Sequence, residues 1–184
     1  DRTYPSRACQ ILDQDPLIDF VHADLIFEDR LIGPYVMRPL RSKNILYPNI
    51  GRGMPYRHQS MVVRKEVFDR VGLFNLDYIS SDYDWVCKWE LSLKESHGKA
   101  YYSDGVPVIK MDGGGISSTQ ESKIILEAIQ IIKQRNRNLS FLEKMKSDLA
   151  LFTRLVFFYC RFLLKTMGFM NILIKIKRIK YHRF

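Results

Sequence analysis

The spacing of apolar side chains divides the chain into a region of short strands and helices followed by a long helical region. Behind Pro5, which suits a first helical turn, Ala8, Ile11 and Leu12 form a modest apolar face, so residues 1–15 read as a loop entering a helix that Pro16 ends. Residues 18–27 (IDFVHADLIF) are dense in β-branched and aromatic side chains and predict one strand. A helix leading straight into such a strand fits a Rossmann-like α/β layer. Gly33-Pro34, Pro39, Pro48 and Gly51-Arg52-Gly53 interrupt the next stretch, which predicts a short strand over residues 35–38 and a brief helix over 42–47. A short strand carrying His58, Gln59 and Ser60 follows, then a helix over Lys65–Val71 stopped by Gly72. In residues 82–95, Val86, Trp89 and Leu93 share one helical face. Residues 99–103 and 106–111 predict two more strands around Asp104-Gly105, a hairpin-like turn cue.

From Ser118 onward the pattern is helical. Ile125, Ile129 and Ile132 form a stripe expected to pack back on the sheet. A second stripe runs through Leu142, Met145, Leu149, Phe152, Val156, Tyr159 and Leu163, with Arg154, Arg161 and Lys165 as a narrow basic ridge on the opposite side. Gly168 breaks that helix, and Ile172, Ile174 and Ile176 then interleave with Lys175, Lys177 and Arg178.

Charge sharpens this division. The 184 residues suffice for one domain with an appendage, residues 1–118 and 119–184. Of a net charge of +9, eight units come from basic residues beyond Leu149, where no Asp or Glu occurs. Such a tail calls for an anionic partner. A membrane surface ranks ahead of nucleic acid, because no RNP motif or zinc finger accompanies the basic residues. Removing the chain beyond Ser147 is expected to release the protein from membranes. No run approaches the roughly 20 apolar residues of a spanning helix. Cys9, Cys87 and Cys160 are far apart and odd in number, which argues against a disulfide framework or a zinc site and for a reducing, cytoplasmic setting. Residues 1–15 carry neither an initiating Met nor the apolar core of a signal peptide, and read as the start of a piece cut in mid-domain.

Candidate chemistry gathers in residues 56–89, where a strand end and a helix start can aim side chains at one point. His58 and Gln59 lie on one side, Asp82 and Asp84 on the other. Carboxylates in a first helical turn are also favoured by the helix dipole, and Ser81 with Asp84 can form a capping box. A histidine at a strand end is as often structural. Downstream, Gly113, Gly114 and Gly115 would let backbone amides approach a ligand, or form a mobile turn; without a following Gly-Lys-Ser/Thr they are no P-loop.

In order and spacing, Met54, Pro55, His58, Gln59, Arg64, Val71, Gly72, Phe74, Asp82, Tyr83 and Asp84 resemble the acceptor half of family 2 glycosyltransferases of the GT-A fold, over residues 1–118. The resemblance implies a partial GT-A, Rossmann-like mixed sheet flanked by helices, with the amphipathic helical tail appended. It implies transfer of a sugar, with inversion, from a nucleotide-sugar donor to a glycan or lipid-linked acceptor hydroxyl, in surface polysaccharide or glycolipid synthesis on the cytoplasmic face of the membrane. Asp82 matches the general base, while His58, Gln59, Tyr83, Asp84, Gly114 and Ser117 match donor or acceptor contacts. Asp1 stands where the last aspartate of the motif holding a divalent cation, Mg²⁺ or Mn²⁺, would be. Ser81 departs from the glutamate common in the family, as do Lys110 and Asp112 from its aromatic or basic residues. The nucleotide-binding half is missing, so the 184 residues alone are expected to be inactive. The alternative is a non-catalytic, membrane-associated scaffold derived from such a domain.

Overall fold

Pro5 opens α1 (Tyr4–Gln14) in the computed structural model, which describes residues 1–38, 53–103, 107–113 and 120–181. The helix buries Tyr4, Ala8 and Leu12 against Ile18, Val21, Ala23 and Val108. The strand expected over residues 18–27 forms as two, β1 (Ile18–Ala23) and β2 (Leu25–Asp29), which belong to different sheets. The break at Asp24 has a tertiary cause. The Ser60 hydroxyl donates to the Ala23 carbonyl and accepts the Ala23 N–H, so a side chain replaces a strand neighbour there. Asp24 itself accepts from the Tyr102 hydroxyl, and its carbonyl accepts from Val108.

The remaining strands are β3 (Gly33–Met37), β4 (Val62–Val63), β5 (Lys99–Ser103) and β6 (Ile109–Asp112). Both sheets are small and mixed, ordered β4-β1-β5 and β3-β2-β6. In each, the central strand has one antiparallel and one parallel neighbour. The hairpin expected around Asp104-Gly105 is not found. β5 runs parallel to β1 and β6 parallel to β2, in separate sheets. The chain is therefore α/β, with six α-helices among the described residues. The helix expected over residues 42–47 lies outside them.

Helices cover the first sheet in layers. α2 (Lys65–Val71) ends at Gly72, whose φ of 88° lies in the region that favours glycine. α3 (Ser81–Ser96) buries Trp85, Val86 and Trp89 with Phe20 and Tyr56, and α4 (Glu121–Asn136) adds Ala128, Ile131 and Ile132 to the same core. The α4 stripe thus packs mainly on α3 rather than directly on the sheet. Asp19, buried at the start of β1, ties the layers: Trp89 Nε1 donates to it at 2.7 Å and Arg70 at 2.6 Å. Gly98 must lack a side chain, because a Cβ there would lie 1.9 Å from the Asp19 carboxylate. Arg64 serves the same region, donating to the carbonyls of Leu12, Asp15 and Ile18.

A capping box of Ser140 and Glu143 opens α5 (Phe141–Thr166), and α6 (Met170–Tyr181) follows the break at Gly168. No helix among the described residues is long and apolar enough to cross a membrane. α5 docks through Ser147, Ala150 and Leu151, whereas Leu142, Met145, Leu149, Phe152, Val156, Tyr159 and Leu163 face outward. The basic ridge is correspondingly reversed for two of its members. Arg154 sits over the Tyr83 ring and Arg161 pairs with Glu121, so both guanidinium groups turn toward the domain.

Candidate active site

His58 is carried by a 3₁₀ turn, His58–Ser60, rather than by the expected strand. The turn is held by local bonds: Ser60 N–H donates to the Arg57 carbonyl, and Met61 N–H donates to the His58 carbonyl. Since the Ser60 hydroxyl donates to the Ala23 carbonyl at the end of β1, the turn is fixed to the sheet and aims His58 at the start of α3.

That helix start differs from the expected capping box. Ser80, not Ser81, is the N-cap and makes no side-chain capping bond. Glu127, buried on α4, reaches across instead and accepts the N–H groups of Ile79 and Ser80 at 3.1 and 2.9 Å. A carboxylate from another helix thus meets the orphan donors and the dipole. Asp84 is equally free of capping: it is buried and pairs with Lys88 one turn on, at 2.6 Å. Asp82 is left to face the site.

His58 Nδ1 lies 2.8 Å from Asp82 Oδ2. Burial pushes the Asp82 pKa up, but the hydrogen bond and charge of His58, with backbone N–H groups at Asp82 and Tyr83, outweigh it and hold the carboxyl below the ordinary aspartate value. Asp82 is therefore ionised at neutral pH. It borders two cavities. One, about 270 Å³, is lined by Ser80, Asp82, Tyr83, Glu121, Arg154 and Arg161 among others. The second, about 280 Å³, is lined by His58, Met61, Phe68, Phe74, Asp82 and Trp85 among others. A carboxylate in this position can accept a proton from a hydroxyl entering either cavity.

The other expected contacts divide. Tyr83 lines the first cavity with its ring buried; burial raises its hydroxyl pKa, with Cys87 adding to the rise and Arg154 and Arg135 opposing it. Gln59 is half-buried in the His58 turn and lines neither cavity. Gly114 and Ser117 lie outside the described residues. Asp1 lies just ahead of α1: its carboxylate accepts from Thr3 N–H and hydroxyl and pairs with Arg7 at 2.6 Å. Among the described residues no group of three or more His, Cys, Asp or Glu side chains is arranged to hold a metal ion. His22, beside the site in the aromatic core, is held neutral, since burial first and the Arg57 charge second depress its pKa to about 4.

Sequence reasoning missed Glu127 and the inward turn of Arg154 and Arg161. The two arginines are seven residues apart, two turns on one helical face, and stand where the circumference of α5 is otherwise mostly apolar. That was the available signal for a pair with one task. No family model matches the chain, and a search of curated proteins finds no match to it.

Proposed function

We propose that the chain is the acceptor-side part of a GT-A glycosyltransferase in which Asp82 is the general base. The observation that carries this reading is the 2.8 Å contact between His58 and Asp82, which joins two separately nominated residues on cavity walls. In the proposed step an acceptor hydroxyl forms a bond to the anomeric carbon of a nucleotide-sugar as the bond to its phosphate breaks. The hydroxyl proton passes to Asp82 and the nucleoside diphosphate leaves. His58 holds the carboxylate in register. A positioned base contributes on the order of 10² to 10⁴ in rate. The divalent cation implied by the resemblance would need ligands beyond Asp1.

The same reading seats the protein peripherally on a cytoplasmic membrane surface. The arrangement of α5 revises how it would attach. Phe152, Val156, Tyr159 and Leu163 on the outward stripe are exposed and would enter the headgroup region, while Lys175 and Arg178 on α6 would meet anionic lipid. Arg154 and Arg161 would take no part. The scaffold alternative draws on the contacts of the Asp1 carboxylate with Thr3 and Arg7. The readings separate on one assay: Asp82→Asn in the full-length protein encoded by the gene should cut sugar transfer roughly 100-fold or more if Asp82 is the base, and a scaffold shows no transfer in either form.

A further inference from the structure

The cavity between α3, α4 and α5 holds more cationic donors than proton transfer requires. Arg154 and Arg161 both line it, along with Ser80, Asp82, Tyr83 and Glu121. Each of the acids already has a partner: His58 lies on Asp82 and Arg161 on Glu121. Arg154 has no carboxylate within ion-pair distance among the described residues. Its guanidinium rests on the Tyr83 ring, 5.5 Å from the centroid, and its Nη1 is buried with no hydrogen-bond partner. A buried cationic donor without an acceptor is costly, and the planar fork of arginine matches two oxygens of one anion. The first turn of α4 borders the same cavity, and its positive end adds to the attraction for negative charge.

We propose that this cavity is an oxyanion subsite, in which Arg154 as the main donor and Arg161 as the second bind a phosphate or carboxylate carried by the acceptor. The word acceptor rests on the transferase reading; the anion site itself does not. Bound there, an acidic acceptor would be anchored beside Asp82, so the class of substrate is a phosphorylated or uronic-acid-bearing glycan rather than a neutral one. Tyr83 contributes by holding the Arg154 guanidinium over its ring.

The test measures binding of methyl phosphate, glucuronate and uridine diphosphate to the full 184-residue chain by calorimetry at fixed salt. Saturable binding of methyl phosphate or glucuronate is expected, and which of the two binds identifies the acidic group. Arg154→Gln should weaken it at least ~10-fold, Arg161→Gln by less, and Asp82→Asn should tighten it by removing a neighbouring negative charge. Lys146→Gln, a change to an exposed cation on α5 outside the cavity lining, should do nothing. Absence of saturable binding, equal losses in Arg154→Gln and Lys146→Gln, or binding of uridine diphosphate alone would overturn the proposal. If Arg154→Gln does not fold, Arg161→Gln decides, and unchanged affinity there counts against the site. Transfer is not read in this experiment. A wild-type transfer rate in Asp82→Asn would remove the base while leaving the anion result standing, and failed anion binding would leave the base untouched.

Discussion

Strand β1 and helix α5 both carry long apolar stretches and use them in opposite ways. Every residue of β1 is buried, including Asp19 and His22, because β4 and β5 flank it and helices cover it. α5 meets a domain whose core α3 and α4 have already closed. Only Ser147, Ala150 and Leu151 on that helix are fully covered, while its apolar stripe faces out. Periodicity fixes which side chains share a face; the neighbours decide which face is buried. On α5 the inward face went to the side carrying arginines, since Tyr83 and Glu121 supply a ring and a charge to receive them.

The comparison is broken most forcefully by truncating a large side chain in each region. Trp89→Ala empties the aromatic core and removes the bond to Asp19, and should cost about 3–5 kcal/mol. Phe152→Ser, on the outward stripe, should stay within about 0.5 kcal/mol. Denaturant melts of both variants check this, and a large loss in Phe152→Ser would mean that α5 buries its stripe.

A smaller effect separates the buried polar groups of the core from those outside it. Burial raises the Glu90 pKa from 4.5 to about 8, with the Arg135 charge offsetting part of the rise. The folded state therefore keeps a proton that the unfolded state releases, so stability is highest below the unfolded value and falls as pH climbs from about 4.5 toward 8. The loss is on the order of a few kcal/mol. Melting temperatures across that window should decline in the wild type and decline less in Glu90→Gln; parallel curves would place Glu90 outside the account.

The outward stripe can be tested without disturbing the domain. Cutting the chain after Ser147 would also remove Leu151 and Arg154 from it, so surface substitutions are cleaner. Replacing Phe152, Val156 and Tyr159 together by serine should lower co-sedimentation with anionic liposomes by roughly 10-fold or more, with the melting temperature nearly unchanged. Undiminished sedimentation would leave the exposed face to some other partner.

These contrasts also show which parts of the molecule were legible in advance. The α2 helix, its stop at Gly72 and the delivery of Asp82 to a helix start all rest on local cues, and each was readable. The split at Asp24 depends on the Ser60 hydroxyl, far along the chain, and a run as apolar as IDFVHADLIF gives no hint of it. Asp104-Gly105 is a hairpin cue by composition, yet β5 and β6 take β1 and β2 as partners because the sheet offers them parallel neighbours. Glu127 replaced the expected Ser81 cap for the same reason: the donor and acceptor come from different elements. At the site, residues 56–89 contained the acid and the imidazole, whereas the arginines came from α5, outside that stretch.

The transferase reading stands or falls on Asp82. The decisive measurement is the single-turnover rate of sugar transfer in full-length wild type, Asp82→Asn and Asp84→Asn, each normalised to folded protein. Asparagine keeps the size of the side chain and its contact with His58 but cannot take the hydroxyl proton, so Asp82→Asn should be slower by roughly 100-fold or more. Asp84→Asn, which only loses the pairing with Lys88, should keep the wild-type rate. An Asp82→Asn rate equal to that of wild type, with folding intact, would contradict the account.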